Sequence, residues 1–140
     1  MQSTYVDVFF YGLFMDTSLL AAKGIHAANS AVARVDGYGL RIGERATLVP
    51  DRASKAHGVV MTLNAADLAA LYADKSVADY RPETVAAVLQ DGTVKTVQCY
   101  NLPPGKLAGT NADYAASLLK LAQSLGLPSD YQAEIQSFIE

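Results

Sequence analysis

Cysteine, histidine, excess positive charge and long apolar runs are all scarce in this 140-residue chain, and each scarcity removes a class of chemistry. Cys99 is the single cysteine, so no internal disulfide is possible. A lone cysteine on a strand reads as a small buried hydrophobe rather than a nucleophile. His26 and His57 lie far apart, with no neighbouring cysteine and no His-Glu-x-x-His arrangement. Neither has metal-ligand spacing, so no metal is expected, and no cofactor. The apolar stretches fall far below the ~20 residues that cross a bilayer, and Met1-Gln2-Ser3-Thr4 lacks the charged start of a secretion signal. The expectation is a cytoplasmic protein with no membrane partner. Eleven Lys and Arg against 14 Asp and Glu give a formal charge of −3. Without a basic stripe, nucleic acid is not an expected partner. Gly37, Gly39 and Gly43 are spaced one residue too long for a dinucleotide fingerprint, and the chain carries no P-loop and no G-x-S-x-G elbow.

What the chain does have is a hydrophobic content of 51% without a second compositional block. That is enough for one compact domain over residues 1–140, burying roughly 68% of its unfolded surface. Asp16 can cap a short helix through Leu19, Leu20 and Ala22 that Gly24 ends in the left-handed conformation. Ala31 to Arg41, interrupted by Gly37 and Gly39, reads as a strand, and Ala46–Pro50 and Ala56–Leu63 read as two more. Asn64 with Asp67 resembles a helix cap, and Leu68, Leu71 and Tyr72 give that helix an apolar face ending near Asp74. Glu83–Leu89 and Val94–Asn101 flank Gln90-Asp91-Gly92-Thr93, a tight hairpin. After the turn-prone Pro103-Pro104-Gly105, Thr110 with Asp113 forms a second cap. Tyr114, Leu118, Leu121 and Leu125 then lie on one stripe that Gly126 ends. Ser129 and Gln132 cap a last helix carrying Tyr131, Ile135, Phe138 and Ile139. The core is expected over residues 5–102, with a helical tail at 110–140 packed on the sheet by both stripes.

The most informative segment runs from Asp7 to Asp16, Asp-Val-Phe-Phe-Tyr-Gly-Leu-Phe-Met-Asp, where an apolar strand stops at Gly12 before a new helix start. A glycine there marks a position of positive φ or of unusually close approach by another group. Successive amides of such a loop, with a helix N-terminus beside them, form a concave set of donors for a carboxylate or carbonyl oxygen. The alternative is a plain strand-to-helix turn.

This segment resembles the Tyr-Gly-(Ser/Thr)-Leu-Met loop of the γ-glutamylcyclotransferase-like (AIG2-like) family, with Leu13 and Phe14 in place of the hydroxyl residue and leucine. Further pieces follow in the family's order: Val35-Asp36-Gly37-Tyr38, Ala46-Thr47-Leu48-Val49-Pro50, His57-Gly58-Val59-Val60, the Asn64–Tyr72 helix and Tyr80-Arg81-Pro82-Glu83-Thr84-Val85. The resemblance covers about Val6 to Leu102. It implies an α/β (mixed α+β) fold, a small curved mixed sheet or partial β-barrel with flanking helices. It also implies a reaction in which the α-amine of a γ-glutamyl compound attacks its own γ-carbonyl, releasing 5-oxoproline and an amine. Ring closure is intramolecular, so the protein chiefly holds the cyclising conformer and manages protons. Tyr11, Gly12, Leu13 and Phe14 would supply substrate-binding amides, with Tyr80 beside the pocket.

The family's glutamate, in a leucine-aspartate-x-x-glutamate-glycine pattern, aligns with Lys75 when counted from Leu71. A protonated lysine is no base. Asp74, one residue away, is the candidate catalytic carboxylate, and its alternative reading is a solvated residue at a helix end. Glu83 matches a strand position, Glu44 reads as an ion-paired turn residue, and Arg41 or Arg45 could hold a ligand carboxylate. Tyr11, Tyr80 and Tyr100 either line the pocket or pack as aromatics with satisfied hydroxyls. Leu13 and Phe14 make the site more apolar or smaller. Two functions therefore stand at the level of sequence. One is a cyclotransferase-like enzyme acting on a small γ-glutamyl amine or peptide. The other is a non-catalytic member of the fold that binds a carboxylate-bearing metabolite or a protein partner.

Overall fold

The computed structural model describes residues 4–75, 77–103 and 105–139. Five strands, β1 (Tyr5–Phe10), β2 (Asn29–Ile42), β3 (Ala46–Asn64), β4 (Arg81–Leu89) and β5 (Val94–Asn101), close into a barrel in the order β1-β3-β2-β4-β5. Neighbours are antiparallel except at the closure, where β1 meets β5 in parallel with Val8 opposite Gln98. The mixed, curved sheet implied by the sequence is thus present, and it closes. Closure leaves no sheet edge unpaired along its full length. Val8, Val35, Val59, Met61, Leu63 and Cys99 are fully buried within the core.

Two strand expectations need correction. Ala46–Pro50 and Ala56–Leu63 are one strand, β3, of 19 residues. The turn-like Asp51–Ser54 between them is a bulge: Tyr38 pairs with Pro50 and Asp36 with Lys55, so one residue of β2 faces four of β3. Gly37, at φ +85°, supplies the matching bend on β2. Asp51 holds the bulge by accepting from the Ala53 amide at 3.1 Å and the Ser54 hydroxyl at 2.8 Å. The Asp91-Gly92 hairpin forms as expected, with Gly92 at φ +89°.

The helices are α1 (Thr17–Ala22), α2 (Ala65–Tyr72), α3 (Ala112–Leu125) and α4 (Ser129–Ser137). Asp16 caps α1 through the Ser18 amide at 2.9 Å, and Asn64 caps α2 through the Ala66 amide at 2.8 Å. For α3 the cap is Asn111, which accepts from the Tyr114 amide at 2.9 Å, and not Thr110. Asn111 is as good a cap as threonine, and its side-chain nitrogen also donates to the Glu44 carbonyl, tying the helix start to the β2–β3 turn. Gly126 ends α3 at φ +72° as expected. Pro128, not Ser129, occupies the cap position of α4, and Gln132 reaches back to the Leu127 carbonyl at 2.8 Å. Ala115, Leu118, Ala122, Tyr131 and Ile135 bury into the same core as the barrel, with the Tyr131 ring 4.9 Å from that of His57 on β3.

Candidate functional site

Where β1 ends, the chain turns through Gly12 into a single 3-10 turn, Leu13–Met15, before α1 begins. Of the two reasons for a glycine here, close approach is the one realised: Gly12 is extended at φ −109°, and a Cβ on it would lie 2.5 Å from the Tyr114 hydroxyl. That hydroxyl accepts a long hydrogen bond, 3.4 Å, from the Leu13 amide. Helix α3 is thereby tied to the loop across 101 positions of sequence.

Over this loop lies a cavity of about 360 Å³. Phe9, Phe10 and Tyr11 at the end of β1, followed by Gly12, Leu13 and Phe14, form one wall. Leu19 and Lys23 come from α1 and its end, Arg45 and Ala46 from the start of β3, and Tyr72, Val77 and Tyr80 from the end of α2 and the loop after it. Tyr100 on β5 and Tyr114 on α3 complete the lining. The five expected binding residues, Tyr11, Gly12, Leu13, Phe14 and Tyr80, are therefore brought together.

The lining is aromatic and interlocked. Phe14 meets Phe10 and Tyr72 edge-on at 5.9 Å each, and Tyr72 stacks on Tyr100 at 3.9 Å with 9° between the rings. Tyr11 donates to the Tyr100 carbonyl at 2.6 Å, and Tyr80 donates to the Ala46 carbonyl. Burial raises the phenols of Tyr11, Tyr72, Tyr80 and Tyr114 above their usual range, so they remain protonated at neutral pH and none serves as a base. Cys99, buried nearby, is pushed up to about 12 by burial and then by Glu83, which leaves an inert thiol.

Among the described residues of the lining the charged side chains are Lys23 and Arg45, and there is no carboxylate. The Arg45 guanidinium pairs with Asp79 at 3.4 Å and sits 5.8 Å from the Tyr80 ring centroid. Arg41 is elsewhere, paired with Asp51 at 3.5 Å. Asp74 lies exposed in the turn that follows α2, where its carbonyl accepts from the Val77 amide at 3.1 Å. Its chain neighbours Tyr72 and Val77 reach the cavity, while Asp74 is not among the lining residues. Lys75 is exposed beside it. Glu83 is on β4, accepting from the Asn101 amide group at 3.1 Å, and Glu44 is in the β2–β3 turn with its N–H on the Ala108 carbonyl.

Sequence reasoning assigned Tyr72 and Tyr114 to core stripes and did not single out Leu19, Lys23 or Val77. Helical periodicity marks a buried face but does not say whether that face meets packed core or a cavity. Only Arg45 carried a usable signal, a cation beside a turn.

By its architecture the chain is a small closed five-stranded barrel with an aromatic-lined cavity above a glycine-bearing strand end. The chain belongs to the gamma-glutamyl cyclotransferase, AIG2-like family, which it matches over residues 8–117. Solved structures share the fold. One described as a gamma-glutamyl cyclotransferase has a TM-score of 0.78 at 22% identity, over 96% of this chain and 88% of that one. YkqA from Bacillus subtilis has a TM-score of 0.81 at 20% identity, over 97% of this chain and 54% of its own. A yeast gamma-glutamyl cyclotransferase specific to glutathione has a TM-score of 0.66 at 14% identity, over 97% and 96%. No curated protein matches the sequence.

Proposed function

We propose that the cavity takes a small γ-glutamyl amine or peptide and that the protein is a cyclotransferase-like enzyme acting on it. The observation that carries this reading is the meeting of the Tyr11–Phe14 loop with Arg45 and Tyr80 around one cavity in the family-matched part of the chain. Arg45 suits a ligand carboxylate, and the loop amides suit the carbonyl oxygen on which charge develops. The neutral α-amine attacks the γ-carbonyl carbon, the ring C–N bond forms, and the original amide C–N bond breaks. The α-nitrogen gives up a proton and the departing amine takes one, leaving 5-oxoproline and a free amine. Asp74, held between two residues that line the cavity, is the carboxylate assigned to carry that proton.

The test is 5-oxoproline release from a panel of γ-glutamyl amines and dipeptides, with Asp74→Asn in parallel. Release by the wild type that falls by about 10²–10⁴-fold in the variant supports the assignment. Undiminished turnover in the variant removes Asp74 from the mechanism. A second reading, a binding protein without turnover, is favoured by the lack of any carboxylate among the described lining residues. Its signature is saturable binding of the same compounds with no product.

A further inference from the structure

We propose that the amine end of the ligand is uncharged and hydrophobic, an aromatic ring being the best fit, so that the ligand class is a γ-glutamyl amide of an apolar amine and not of a diamine or polyamine. The proposal rests on the cyclotransferase-like reading of the cavity. Three observations carry it.

The first is the surface offered. Phe10, Phe14 and Tyr72 form a continuous edge-to-face series, and Leu13, Leu19 and Val77 add aliphatic surface beside it. The hydroxyls of Tyr11 and Tyr80 spend their protons on backbone carbonyls, so neither has a proton left to donate to a polar ligand tail.

The second is charge. Lys23 and Arg45 are the charged described residues of the lining. Arg45 is already paired with Asp79 at 3.4 Å, so the net positive charge of the lining comes from Lys23. A ligand carboxylate is matched by it, whereas an ammonium tail would leave water to meet a like charge and no carboxylate among the described lining residues. Two of the rings offer a cation less than their count suggests: one face of Tyr72 is covered by Tyr100 at 3.9 Å, and Arg45 already stands 5.8 Å from the Tyr80 centroid.

The third is size. About 360 Å³ is near the low end of the ~300–1,000 Å³ typical of small-molecule sites. A glutamyl group with one ring suits that space better than an extended peptide does.

Calorimetric titration of the full chain with γ-glutamylbenzylamide, γ-glutamylputrescine, whose tail ends in an ammonium with no carboxylate, and γ-glutamylglycine tests this without requiring turnover. The benzylamide should bind at least about tenfold tighter than the putrescine compound, the discrimination expected when a buried charge goes unmatched. In Phe14→Ala that ratio should fall severalfold. Should the variant not fold, the wild-type ratio decides alone. Equal or tighter binding of the putrescine compound overturns the proposal while leaving the cyclotransferase-like reading in place. Binding of none of the three overturns both.

Discussion

The contact between Gly12 and Tyr114 makes a double-mutant cycle with a definite sign. Gly12 has an extended backbone, so alanine there meets no φ penalty, and its cost comes from the 2.5 Å approach of the new Cβ to the Tyr114 hydroxyl. That is about 1 Å short of the ~3.5 Å at which nonbonded heavy atoms sit comfortably. The next nearest atom, Tyr114 Cζ, is at 3.9 Å, an ordinary contact. The hydroxyl must therefore move, and Tyr114 is held by the buried stripe of α3 that carries Ala115 and Leu118. Overpacking of this kind costs about 1–2 kcal/mol. Tyr114→Phe alone should cost only about 0.5 kcal/mol, since the bond it removes is long at 3.4 Å. In the Tyr114→Phe background the clash is gone, and Gly12→Ala should then cost less than about 0.5 kcal/mol. Urea unfolding followed by circular dichroism gives all four stabilities. If Gly12→Ala is equally costly in both backgrounds, close approach is not the reason for the glycine.

Other outcomes follow from the same geometry. A Cβ at Gly58 would run into the Phe10 carbonyl oxygen on the adjoining strand, a backbone atom that cannot swing aside. Gly58→Ala should thus cost about 3 kcal/mol or more, and a urea midpoint close to wild type would contradict the strand spacing. His57 is held below its usual 6.5, first by burial and then by Arg34. The unfolded chain then binds the proton more readily than the folded one, so stability is full above that value and is lost as pH falls through the folded pKa. Urea midpoints between about pH 8 and pH 5 should show this slope and His57→Gln should flatten it; an identical slope in the variant would remove His57 as its source. Cys99, pushed up to about 12, should resist thiol reagents at mildly alkaline pH until the chain is unfolded. Rapid labelling of the native protein would show that the thiol is reachable.

Much of this was legible in the sequence because the signals are local. Asp91-Gly92 sets its hairpin and Asn64 its cap through neighbours a few residues away, and the Tyr11–Phe14 segment was marked by one glycine in an apolar run. What the sequence hid is long-range. Ala46–Pro50 and Ala56–Leu63 read as separate strands because nothing local reveals that Gly37, on another strand, bends to accommodate the residues between them. Thr110 and Asn111 are both good caps, and the choice was made by a hydrogen bond to Glu44, far away in sequence. Barrel closure depends on β1 finding β5, and no short pattern encodes a parallel contact between the first and last strands. In the site, Tyr114 reached the loop from a helix that reads simply as a core stripe. Asp74 was reached by counting from the family's pattern, and it stands exposed in the turn after α2.

The most direct measurement is amide NMR of the isotopically labelled protein titrated with γ-glutamylbenzylamide. Saturable shifts concentrated at Tyr11, Gly12, Leu13 and Phe14, with Arg45 and Tyr80 following, are expected if the cavity is the ligand site. Saturable shifts confined to another face of the barrel, or none at millimolar ligand where even weak complexes of about −4 kcal/mol are populated, would contradict it.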